Sequence, residues 1–345
     1  MRHLAAAALA GAAATATAGV ELPSMGSPVD QVLSPREEAA IGAEMMARAR
    51  QQLELNRDPE IAAYFDALGG RLAAGVDNAP PGGFQFFIVH DARINAFAAP
   101  GGYIGLNSGL FLAAENEGQL AGVVAHEIAH VTQRHIAKAY AANQRSQYTT
   151  LATVLAALIL GSQNPEAAEA AITTGVAAQA QRQINYTRAN EYEADRIGIG
   201  ILAEAGYDPA GMAGMFELLM ASAGSSADAV PEFLRTHPLS SNRVAEAESR
   251  AAGMATSGMR NDSLEFHLMQ RRLRVIDADE PRVLHSRWAA ESPQAGTHAG
   301  AAHAYGLALL ERRTGAAAEA AARLERLRSD ARQPPLRAGA GARLP

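Results

Sequence analysis

Cysteine is absent from the 345 residues, which removes both a disulfide framework and a lipid-bearing cysteine and favours a free protein over a lipoprotein. Aromatic residues are scarce at 5%, while 48% of the chain is hydrophobic, much of it alanine. Small side chains in that abundance point to a helix-rich protein with closely packed helices. A net charge of −6 without any basic block of the kind that tracks phosphates argues against nucleic acid as a partner. Past the N-terminus, the apolar run at residues 151–160 falls far short of the roughly 20 residues a bilayer-spanning helix needs. The length suffices for a sizeable core and about two domains.

What the chain does possess is His126-Glu127-Ile128-Ala129-His130. On a helix, His126 and His130 are one turn apart on the same face and can reach one metal ion. Glu127 is rotated by about 100° from His126, which lets it address a water at the metal instead of the metal itself. The surrounding residues 120–131 are small or branched and read as a buried helix. Two histidines and a carboxylate buried without partners would cost several kcal/mol, an objection that a metal ion removes.

Chemistry at such a site needs a third protein ligand and an open fourth position. Downstream, Glu191 and Asp195 are again one turn apart in a helical segment. Glu191 can bind the metal while Asp195 receives the free ring N–H of a ligating histidine; Glu193 is expected to point elsewhere. Standing alone, this acidic cluster would read as a solvated helix face; the upstream histidines reverse that. His135 falls about 140° round the helix from His130 and should face another surface. His90, His267, His285, His298 and His303 read as structural or solvated residues.

Residues 1–18 carry Arg2, an apolar stretch and Ala16-Thr17-Ala18, the pattern of a secretory signal peptide, with a disordered alanine-rich tail as the alternative. Ser34-Pro35-Arg36-Glu37 opens a helix, a second follows at about 59–74, and Pro80-Pro81-Gly82-Gly83 precedes a strand at 84–89. Gly101 to Leu106 reads as a strand after a tight turn, and Gly102, Tyr103 and Ile104 are expected to offer a free edge to an extended substrate. Residues 151–160 and 167–181 suggest a helical hairpin, either a lid over the cleft or part of the core, and an exposed apolar lid could also meet a membrane surface. The domains expected are a catalytic unit at 34–252, a linker at 253–263, one tetratricopeptide-like helix pair within 264–330 and a disordered tail at 331–345.

Together, Asn95-Ala96-Phe97-Ala98-Ala99-Pro100-Gly101-Gly102-Tyr103-Ile104-Gly105, the metal helix ending Val131-Thr132-Gln133-Arg134-His135, the Glu191/Asp195 pair, and Thr236-His237-Pro238 followed by Arg243 resemble the gluzincin zinc metallopeptidases of the HtpX and CAAX-prenyl-protease type. Within them they are most similar to the soluble periplasmic BepA-like branch, beside which the tetratricopeptide-like array here is short. The resemblance implies a helix-dominated α+β fold of the zincin kind and one Zn2+ per chain, held by His126, His130 and Glu191. It further implies Glu127 as general base, Asp195 behind a ligand, Asn95 in the cleft rim, His237 approaching the metal from a separate loop and Arg243 as a neighbouring basic residue. His237 and Arg243 are assigned to the catalytic machinery, with two roles open: His237 fills the fourth metal position as a gate, or both residues hydrogen-bond the oxyanion.

The activity expected is zinc-dependent endopeptidase cleavage of unfolded or misassembled envelope proteins in the periplasm, with outer-membrane precursors or their assembly machinery as partners. A chaperone or assembly factor in which proteolysis is largely held off is the alternative from another class. A purely structural zinc is disfavoured because it would not need Glu127.

Overall fold

A computed structural model describes residues 28–143, 165–223, 230–294 and 296–331. The segment read as a signal peptide, the first arm of the expected hairpin and the tail after residue 331 lie outside the described residues. The fold is helix-dominated α+β. Helix α1 (Pro35–Gln52) starts at a reciprocal cap, the Ser34 hydroxyl accepting from the Glu37 N–H while the Glu37 carboxylate accepts from the Ser34 N–H. Helix α2 (Pro59–Ala73), capped by Asp58, buries Ile61, Tyr64, Phe65, Leu68 and Leu72, the stripe that a 3.6-residue period predicts.

Three short strands follow: β1 (Gln85–Val89), β2 (Ala96–Ala99) and β3 (Tyr103–Asn107), in the order β1-β3-β2, with β3 parallel to β1 and antiparallel to β2. Gly101 and Gly102, at φ +81° and +90°, make the turn between β2 and β3. β3 is the middle strand, Tyr103 pairing with Gln85 and Ala99, and Ile104 with Phe86 and Ala98; Gly102 also accepts from the Gln85 N–H. The expectation that Gly102, Tyr103 and Ile104 present a free edge is therefore corrected, because their backbone groups are spent inside the sheet. Segment 54–56 bonds along the far side of β1. Among the described residues no strand pairs with the outer side of β2.

After α3 (Ser108–Ala113), helix α4 (Glu117–Thr132) runs through the core, buried along almost its whole length. Its neighbours come unusually close. A Cβ on Gly122 would lie 2.8 Å from the Met212 Cα, and one on Gly211 would lie 2.4 Å from the Gly118 carbonyl oxygen. Glycine at these crossings lets backbone meet backbone. Thr132 ends α4, and Arg134 turns the chain at φ +53° into α5 (135–143). The Arg134 guanidinium holds Glu38 at 3.1 Å, the Leu33 carbonyl at 2.6 Å and Asp30, tying the start of α1 to the end of α4. Helix α6 (Pro165–Glu204) is one continuous 40-residue element, so the second arm of the expected hairpin and the Glu191 helix are the same helix.

Helices α7 (Ala210–Ser222), α8 (Glu232–Thr236) and α9 (Ser241–Ala252) complete the layer around α4. The segment expected as a linker is fastened down: the Asn261 carbonyl accepts from Gly118, the Arg260 carbonyl from Asp208, and the Gly206 carbonyl from Arg260. Helices α10 (Leu264–Ile276), α11 (Pro281–Ala289), α12 (His298–Arg313) and α13 (Ala317–Ala331) follow. They share one hydrophobic cluster with the preceding helices. Phe266 stacks on Phe111 at 5.6 Å, Gln270 donates to the carbonyls of Phe111 and Ala114, and Arg272 grips Asp58 with two 2.8 Å bonds. Burying an aromatic pair such as Phe111 and Phe266 contributes on the order of 3–6 kcal/mol.

Candidate metal centre

α4 places His126, Glu127 and His130 in the interior, at 0%, 1% and 9% exposure. From α6, Glu191 and Asp195 project toward the same point, also buried. His237 arrives at the C-cap of α8, its N–H bonded to the Phe233 carbonyl and its ring stacked on the Phe233 ring at 4.6 Å. The His130 Nε2 is 3.0 Å from the His126 Nε2 and 3.4 Å from a Glu191 oxygen, and the His126 Nε2 is 3.5 Å from the other Glu191 oxygen. His237 Nδ1 is 3.3 Å from the His126 Nε2 and 3.2 Å from both Glu191 oxygens.

Four donors about 2.0–2.2 Å from one ion at tetrahedral angles stand roughly 3.3–3.6 Å apart. The separations among His126, His130, Glu191 and His237, 3.0–3.5 Å in the pairs given above, are close to that spacing, and the four could hold one metal ion. The charges agree. Three buried carboxylates, Glu127, Glu191 and Asp195, share this interior with one buried guanidinium, Arg243, which contacts Glu191 and Asp195, and the two Glu127 oxygens are buried without a hydrogen-bond partner. Such a cavity is short of positive charge. Burial disfavours a proton on His126, yet contacts with Asp195 and Glu191 outweigh it and raise the pKa to about 9. Burial likewise opposes ionisation of Glu191, but His126 and His237 hold its pKa far below the usual carboxylate range. His130 is pushed well down by burial and by its histidine neighbours. A cation at the centre would supply what the His126 proton supplies here.

The second ring nitrogens complete the site. His126 Nδ1 is 3.0 Å from an Asp195 oxygen, and Asp195 receives two 2.7 Å bonds from the Arg243 Nε and Nη2. The Arg243 Nη1 donates to the Pro238 carbonyl at 2.7 Å and lies 3.0 Å from Glu191. Each nitrogen of this buried guanidinium thus has at least one partner. Arg243 thereby joins Asp195 and Glu191 of α6 to the His237-Pro238 loop. His237 Nε2 lies 3.6 Å from a Glu127 oxygen.

His135 and Glu193 were not expected here. His135 Nδ1 is 2.9 Å from His130 Nδ1, and its Nε2 is 3.0 Å from Glu193. With His130 Nε2 turned to the centre, its Nδ1–H donates to His135, whose own Nε2–H donates to the carboxylate. An unbroken helix would turn His135 about 140° away from His130. α4 stops at Thr132, and the left-handed Arg134 folds His135 back. No glycine marks that break in the sequence, so its spacing could not reveal it.

Asn95 is buried immediately before β2, with its side-chain oxygen unpartnered. β2 packs on α4. Because the Asn107 N–H donates to the Asn95 carbonyl, antiparallel alternation turns Phe97 and Ala99 inward and the backbone groups of Ala96 and Ala98 outward.

The sequence pattern of peptidase family M48 matches residues 59–251. The chain is 40% identical over 264 residues to a putative beta-barrel assembly-enhancing protease of Vibrio cholerae, covering 75% of this chain and 54% of that protein. It is also 40% identical over 251 residues to the beta-barrel assembly-enhancing protease of Escherichia coli K12, covering 73% and 51%. A mitochondrial metalloendopeptidase of Arabidopsis thaliana is 30% identical over 160 residues, 46% of this chain and 30% of that protein. The chain spans about half the length of the two bacterial relatives. Among the described residues, no helix is long and apolar enough to cross a membrane.

Proposed function

This chain belongs to peptidase family M48, and we propose that it is a zinc-dependent endopeptidase whose ion is held by His126, His130 and Glu191. The observation that carries the proposal is the convergence of these donors at 3.0–3.5 Å beside a buried, unpartnered Glu127. Bound zinc would polarise the scissile carbonyl and bring the pKa of a water close to neutrality. Glu127 takes the water's proton and passes it to the leaving amine. An extended polypeptide adds to the outer side of β2, meeting the backbone groups of Ala96 and Ala98. Asp195 with Arg243, and His135 with Glu193, fix the orientations of the two ligand rings.

The substrates proposed are unfolded or misassembled polypeptides of the bacterial envelope, outer-membrane precursors among them, met in the periplasm; the names of the two bacterial relatives support this setting. Residues 34–252 form the catalytic unit in this reading, and 264–330 a tetratricopeptide-like region that engages clients. His237 acts as a gate. Its Nδ1 stands where a fourth ligand would, and a client must displace the His237-Pro238 loop before water and substrate can enter. That same contact favours the second reading, a client-binding assembly factor whose proteolysis is mostly held off. Comparing the intact chain with Glu127→Gln on an unfolded β-barrel precursor, with zinc content measured, separates the two. Loss of degradation with zinc retained supports the enzyme; equal client rescue by both supports the assembly factor.

A further inference from the structure

Away from the catalytic centre, Asp262, His267 and His298 bring one carboxylate and two imidazoles together, with ligand atoms all within 4.8 Å of one another. His267 Nε2 is 2.7 Å from an Asp262 oxygen, and His298 Nδ1 is 3.6 Å from the same oxygen. The three come from separate pieces of chain: Asp262 from the segment before α10, His267 from the first turns of α10, and His298 from the first residue of α12. The other Asp262 oxygen faces the Glu117 N–H at the start of α4, 3.4 Å away. We propose that Asp262, His267 and His298 form a second divalent-metal site, which takes a borderline ion such as Zn2+ and staples α10 and α12 to the root of the catalytic helix.

The chemistry of the donors points to the ligand class. Two imidazoles with one carboxylate suit a first-row divalent ion and leave positions for water. The Asp262, His267 and His298 side chains keep 35%, 15% and 28% of their surface, so an ion can enter without opening the core and solvent can complete its coordination. Both histidines already face one carboxylate oxygen. The site joins the start of α12 to the start of α10 and to the segment before it, so binding would favour the folded arrangement over any state in which α12 separates from α10.

Zn2+ titrated into the metal-free full chain tests this by counting ions retained after free metal is removed. The intact chain is expected to retain two equivalents, and His267→Ala and His298→Ala one each, with unchanged circular dichroism. A chain carrying both His126→Ala and His130→Ala should keep one. The zinc-induced rise in melting temperature should shrink in His298→Ala. Two equivalents retained by both single variants would overturn the second site, as would its filling only at zinc concentrations far above that of the protein. Should the double variant fail to fold, the count in His267→Ala and His298→Ala decides. Failure of the catalytic assignment has a different signature: the double change at His126 and His130 would then leave the count unaltered.

Discussion

His126 and His130 are neighbours on one face of α4, yet the surroundings of their second ring nitrogens differ. Behind His126 stands a buried ion pair, Asp195 and Arg243, fixed by α6 and α9. His130 rests on a neutral relay, His135 to Glu193, that ends at a carboxylate 43% exposed beside Lys138. The first is rigid and costly to disturb, because removing one member strands a charge in the interior. The second passes through the buried His135 and ends at a carboxylate that water can reach. One histidine is thus held by electrostatics in the dry interior, the other by a chain of hydrogen bonds leading to the surface.

Changing the residue that both sides serve has the largest expected effect. Glu127→Gln should lower peptide hydrolysis by on the order of 10²–10⁴ while zinc content stays that of the unaltered chain. Unequal zinc content would mean that Glu127 helps hold the ion, and the two-sided picture would fail. Next comes Asp195→Ala, which leaves Arg243 facing Glu191 without its main partner. It should cost about 3–5 kcal/mol in urea unfolding and weaken zinc affinity roughly 10–100-fold.

His135→Ala should fall at the low end of that range, about 10-fold in zinc affinity, with little change in unfolding. Glu193→Gln should be smaller still, since exposed charge contributes about 1 kcal/mol or less. Equal losses of stability in Asp195→Ala and His135→Ala would erase the contrast.

A pair far from the centre gives the smallest effect and a test of pH dependence. Burial opposes ionisation of Asp58, but the hydrogen bonds and charge of Arg272, with the amides of α2, hold its pKa below the usual 3.8. A depressed carboxylate stabilises the fold fully above its unfolded value and loses that contribution as pH falls through its lower folded value. Asparagine caps a helix as well as aspartate. Asp58→Asn should therefore lower the melting temperature by about 2–4 °C at pH 7, with the gap closing as the pH drops below 3.8. A gap that persists in acid would show that the charge of Asp58 is not what joins α2 to α10.

Much of this molecule was legible in the order of its residues. His126 and His130 had to share a face once residues 120–131 were helical, and Glu191 and Asp195 likewise, because a helix fixes those relations locally. Ser34, Gly101 and Gly102 marked their cap and turn for the same reason. Strand order was not legible: the glycine-flanked stretch 102–104 promised an edge, and only pairing with both Gln85–Val89 and Ala96–Ala99 made it the middle of the sheet. Arg243 read as a basic neighbour, and nothing in its position disclosed that it would reach Asp195, Glu191 and the Pro238 carbonyl together.

By itself, the sequence determined the donor types, their pairing along each helix and the base between the two histidines, since these follow from covalent spacing and helical periodicity. Tertiary structure alone decided that β3 is the middle strand and β2 an outer one. It also decided that His237 approaches the fourth corner and that His135 returns to support His130. These relations join residues far apart in the chain or across an unmarked break, and their geometry comes from packing, which no local period encodes.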